Sequence, residues 1–155
     1  MLARIAAFAL FVAALGALPA AADDVKGEVL VVLAKEAEGP IDAKLKPIDA
    51  LQKPPFNGFK SMELLATNSI VLSEATPATV QLPNGRTLQI KLVERMPDGR
   101  HKVSVSINRP EKQDYLPLLT VIASGEPFFV AGQKHAGGTL VIGVQIGSKS
   151  GKPSK

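Results

Sequence analysis

Two hydrophobic rhythms run along this chain, and each implies a different environment. The stretch Glu28–Leu33 is apolar and β-branched after its first residue, the pattern of a strand buried on both faces. Further on the rhythm becomes strict alternation. Leu88, Ile90 and Leu92 are separated by Gln89 and Lys91, and Val103, Val105 and Ile107 alternate with Lys102, Ser104 and Ser106. Strands of this second kind have one dry and one wet face. Met62–Leu72, Val80–Leu82, Leu118–Ile122, Phe128–Val130 and Leu140–Ile146 supply further strand signals, and Asn108–Tyr115 reads as a polar loop around Pro110.

The segment between the first two strands has a third spacing. Ile41, Leu45, Ile48 and Leu51 recur at helical intervals behind Asp42, a residue type that caps helices, and the spacing predicts one short helix kinked or shortened by Pro47. Turn chemistry then divides the strands. Pro83-Asn84-Gly85-Arg86 lies between alternating arms and predicts a type I′ hairpin, and Pro97-Asp98-Gly99-Arg100 repeats the motif. A glycine-rich loop, Gly132 to Gly138, precedes the last strand. The expected fold is mainly β, an antiparallel β-sandwich or barrel-like meander with one short N-terminal helix, and an α+β arrangement is the alternative.

The chain's beginning follows other rules. Met1–Arg4 carries one positive charge, Ile5–Leu18 is apolar, and Ala20-Ala21-Ala22 offers small residues for cleavage before Asp23. That layout is a secretory signal peptide cut after Ala22. Its apolar run is shorter than the roughly 20 residues that span a bilayer. The expected organisation is a signal peptide over 1–22, one β-rich domain over 23–146 and a flexible basic tail over 147–155. The location is periplasmic or secreted, with no membrane span after cleavage.

Composition narrows the chemistry. Among 155 residues there is no Cys and no Trp, one Tyr and two His, with a net charge of +4. Thiolate metal sites, cysteine nucleophiles and disulfides are thereby excluded. In a chain that carries an export signal, a fold without disulfides must hold by packing. His101 and His135 share no metal-ligand spacing, no Ser lies in Gly-x-Ser-x-Gly, and the acids are scattered. Gly132–Thr139 has the outline of a phosphate loop, but Gly138 stands where the lysine is needed. No catalytic residue, cofactor or metal ligand is assigned.

The candidate contact residues are Phe128 and Phe129, which point to opposite faces of a strand, so that one enters the core and the other meets solvent, a second layer or a partner. Arg86, Lys91, Arg95, Arg100, Lys102 and Arg109 form a candidate basic stripe along the two hairpins. The favoured expectation is a non-enzymatic interaction or assembly module of the bacterial envelope that binds another protein. The alternatives are binding of an anionic polysaccharide or lipid head group through that stripe, and a hydrolase assembled in space. Nucleic acid is not an expected partner.

Several stretches also carry a resemblance in their order: Ile41–Leu51 with Pro55-Phe56 and Phe59, Leu64-Leu65, Leu82–Arg86, and Gly125–Phe128 through Gly138–Ile142. Together they resemble a family of small uncharacterised exported bacterial envelope proteins of delta-proteobacterial type. The resemblance implies an envelope location and no assigned activity. The closing Gly137-Gly138-Thr139-Leu140-Val141-Ile142 stretch is similar to strands of secretin-type outer-membrane complexes.

Overall fold

The computed structural model describes residues 24–109 and 111–147. The segment read as a signal peptide, and the tail beyond Gly147, lie outside the described residues. Eight strands form: β1 (Val25–Lys35), β2 (Ser61–Leu72), β3 (Ala78–Gln81), β4 (Thr87–Arg95), β5 (His101–Arg109), β6 (Asp114–Ala123), β7 (Phe128–His135) and β8 (Gly138–Ile146). Sheet I has the order β2-β1-β8-β7 and sheet II the order β3-β4-β5-β6, each four-stranded. Every pairing between strands is antiparallel. The path is an up-and-down meander in which β8 returns to β1, and it changes sheet at β2–β3 and at β6–β7. No ladder joins the sheets there, so the meander is flattened into a sandwich and does not close as a barrel.

Alternation builds the interior. Val29, Val31 and Leu33 of β1 and Leu140, Ile142 and Val144 of β8 face Leu88, Ile90 and Leu92 of β4 and Val103, Val105 and Ile107 of β5 in one aliphatic cluster. Among the described residues no polar or charged side chain is buried. A core of this kind holds by apolar burial at roughly 25 cal/mol per Å², as a chain without disulfides requires.

The two Pro-x-Gly-Arg turns are alike but are not the expected type I′. In each, the glycine N–H donates to the carbonyl three residues back, Gly85 to Leu82 at 3.0 Å and Gly99 to Met96 at 3.1 Å. The glycines alone take positive φ, +84° and +87°. This is a three-residue loop, a type I turn followed by a left-handed glycine. Proline is the reason: its fixed negative φ suits the second position of a type I turn, which Pro83 and Pro97 occupy here, whereas in the expected type I′ turn it would stand first, where it has no N–H to give to the closing hydrogen-bonded pair. Asn84 and Asp98 complete both turns by accepting the Arg86 and Arg100 N–H at 3.1 and 3.0 Å. The type I′ signature occurs elsewhere, at Ala136-Gly137, where φ is +46° and +77°. The expected loop from Gly132 to Gly138 is therefore mostly strand, with a bulge between Ala131 and Gln133 and a two-residue turn.

The predicted helix over Ile41–Leu51 does not form, and no α-helix occurs among the described residues. The chain instead makes successive three-residue turns: Leu45 N–H to Asp42 O, Ile48 N–H to Leu45 O, and Leu51 N–H to Ile48 O. Short 3₁₀ turns follow at Asp49–Gln52 and Phe56–Gly58. A period of three places Leu45, Ile48 and Leu51 on one side and needs no donor from Pro47. Asp42 still caps, its Oδ1 accepting the Lys44 N–H at 2.9 Å. This cover strip lies on the outer face of sheet I, where Leu45, Leu51 and Phe56 pack on Val32, Ala34, Met62 and Val141 as a second core.

Candidate interaction edge

Phe128 and Phe129 do point opposite ways. Phe128 packs against the sandwich interior and Phe129 against the core beneath the cover strip. The Phe129 ring meets Phe56 edge-on at 5.7 Å and lies over Gly143, where an added Cβ would stand 2.6 Å from its Cε1. Both phenylalanines are half-buried and join layers of this fold.

The six basic residues do not form one free cationic row. Arg86 donates to the Asn108 carbonyl at 3.0 Å, behind the side chain that receives the Thr87 N–H at 2.8 Å. Arg95 lies 3.5 Å from Glu74 and Arg100 2.6 Å from Asp98. The Arg100 backbone N–H, before its side chain, holds the Asp98 carboxyl below the usual range. Arg109 and Asp114 form a two-point pair across the β5–β6 turn, and that hydrogen bonding raises the guanidinium pKa. Lys91 and Lys102 stand on the outer face of sheet II, opposite Ser104 and Glu94.

The histidines are far apart in the fold. His101 lines a depression with Asp24, Lys26 and Arg95. Burial first, then the Arg95 charge, holds its imidazole below the ordinary value of 6.5. His135 lines an open cleft of about 590 Å³ with Lys35, Glu36, Lys134 and Thr139. That cleft holds a carboxylate and a hydroxyl, but no hydrogen bond among the described residues joins either to His135, and no group of metal-ligating side chains occurs there or elsewhere among them. The glycine-rich segment beside it runs as β7 and a tight turn, with no helix N-terminus behind it to receive a phosphate.

The four sheet edges differ more sharply. β3 is only four residues long. β7 is broken by its bulge and carries Lys134 and His135. One end of β2 is occupied by the cover strip, through Asp42 N–H to Met62 O and Met62 N–H to Pro40 O. β6 has ten residues and, after Asp114, no charge. Of the five large hydrophobic side chains that stand exposed among the described residues, three belong to it: Tyr115, Leu116 and Ile122. Its only blunting devices are Pro117 and a bulge at Leu118, which is unpaired between Pro117 and Leu119 while these lie opposite Ser106 and Val105 of β5.

Tyr115 belongs to β6 and not to the polar loop that the sequence predicts, and Leu116 follows it in the same strand. The signal was present in Tyr115-Leu116-Pro117-Leu118. A proline inside an apolar run marks an edge strand, where a missing N–H faces away from the sheet.

Compared with family models, curated proteins and solved structures, the chain matches none. No helix among the described residues is long and apolar enough to cross a membrane.

Proposed function

We propose that this chain is an exported, non-enzymatic interaction module of the bacterial envelope, and that β6 is the edge on which it receives an extended strand of a protein partner. The observation that carries the reading is the gathering of Tyr115, Leu116 and Ile122 on one uncharged edge strand. An edge strand presents a row of unpaired N–H and C=O groups, and strand addition joins main-chain hydrogen bonds to side-chain contacts on both faces. Here the register sets Tyr115 and Ile122 on the outer face with Asn108 and Lys102, and Leu116 on the core face with Ile107. An added strand would cover both sides at once. Export rests on the three-part N-terminal segment.

A photo-crosslinking residue in place of Tyr115, activated in cells, tests this. The expected result is one discrete protein adduct, absent when the same residue replaces Thr79 on β3. No discrete adduct at Tyr115, or equal labelling at both edges, overturns the reading.

A further inference from the structure

The β6 edge has an internal symmetry that points to its occupant. In an antiparallel pair, residues directly opposite share a face. An ordinary strand alternates throughout, so it meets its own copy face to face only about a centre on a residue. β6 is different, because Leu118 has no partner on β5 while Leu119 lies opposite Val105 and Pro117 opposite Ser106. Leu118 and Leu119 both pack against the sandwich interior. The outer face therefore carries Tyr115, Pro117, Thr120 and Ile122, and the core face carries Leu116, the two central leucines and Val121. This order reads the same in both directions about a point between Leu118 and Leu119.

We infer that the edge pairs with β6 of a second copy of this chain, antiparallel, with the two-fold axis between Leu118 and Leu119; the inference rests on the reading of β6 as an interaction edge. In that register Tyr115 meets Ile122 of the second copy, an aromatic and a β-branched side chain, a pairing that stabilises sheets. Pro117 meets Thr120, and Leu116 meets Val121, so the exposed Leu116 gains an apolar neighbour that extends the interior layer. The charges agree as well. Asp114, the one charged residue of β6, falls opposite Ala123, and no like charges face each other across the pair. Sheet II becomes half of an eight-stranded sheet, and a symmetric pairing of this type closes on itself without propagating into a fibre. Pro117 removes one donor from each strand, which favours this limited, side-chain-directed contact over indiscriminate edge pairing.

The chain has no cysteine, which makes the register directly testable. Opposite Cα atoms of an antiparallel pair lie about 4.5–5.5 Å apart, within disulfide reach. Tyr115 and Ile122 of one strand are about 23 Å apart at 3.3 Å per residue, too far to bond to each other. Under mild oxidation the purified double variant Tyr115→Cys/Ile122→Cys is expected to form a covalent dimer nearly completely. Tyr115→Cys/Thr120→Cys, which probes a register shifted by two residues, is expected to form no covalent dimer. A covalent dimer in the second variant but not the first overturns the register. No covalent dimer in either, together with a monomer by light scattering, overturns self-pairing. The mass of the Tyr115 photo-adduct then separates the two ideas: an adduct to a different protein leaves strand addition standing without self-pairing, and no adduct removes both.

Discussion

Sheet I and sheet II have the same strand number and the same antiparallel pairing but opposite relations to water. Sheet I is sheathed on both faces, by the sandwich interior and by the cover strip. Sheet II has one buried face, one polar face of Gln89, Ser104 and Ser106, and an unprotected edge. The sequence marks the difference in its rhythm. Val29 through Ala34 and Leu140 through Val144 are apolar at consecutive positions because both faces are covered. β4 and β5 alternate because one face is wet. A continuous apolar strand is thus a request for a second layer, and here that layer comes from the loop between β1 and β2.

The most severe way to break this contrast is to remove a leucine from each layer. Leu45→Ala in the cover strip and Leu88→Ala in the sandwich interior are each expected to cost about 2–5 kcal/mol, since both side chains are essentially inaccessible. Urea unfolding measures both, and a loss below about 1 kcal/mol for Leu45→Ala would show that the strip is not a true second core. Gly143→Ala sharpens the same point on the sheet beneath. Its Cβ would collide with the Phe129 ring, wedged against Phe56, and a loss of about 1–3 kcal/mol is expected. If the variant is as stable as the parent, the ring is not held as described.

A smaller effect distinguishes the two sheets by pH. His101 of β5 has a lowered pKa in the folded chain, so the unfolded chain binds more protons near its ordinary value of 6.5. Its contribution is present in full above about 6.5 and is lost as pH falls through the lower folded value. Thermal unfolding should therefore show a stability loss on acidification below that point, reduced in His101→Gln. An identical pH profile in the variant would contradict the assignment. The smallest effect belongs to the bare face. Ser104→Val is expected to change stability by no more than about 0.5 kcal/mol, because the position borders water and no ordered layer lies over it. A larger change, in either direction, would mean that this face is covered.

Much of the fold was legible because it depends on local pattern. β1, β4 and β5, the two Pro-x-Gly-Arg turns and the opposite faces of Phe128 and Phe129 all follow from period-two alternation or from residues with fixed dihedral preferences. The cover strip shows where local reading stops. The spacing of Leu45, Ile48 and Leu51 identified the buried side, but spacings of three suit a chain of short turns as well as a helix, and Pro47 decides between them. The edge was hidden for a different reason. Which strand ends a sheet is a property of topology, and nothing local to Tyr115-Leu116 says that no further strand follows β6. The acidic partners of the basic residues were hidden on similar grounds: Glu74 and Asp114, which pair with Arg95 and Arg109, reach them across turns and between strands.

The most direct test of the unprotected edge is amide hydrogen exchange as a function of protein concentration. If β6 takes a strand from its own copy, its amides slow between micromolar and millimolar protein while those of β3, the other edge of sheet II, do not change. If the amides of β3 and β6 respond alike over that range, or neither responds, β6 is an ordinary sheet edge and the account of its pairing is wrong.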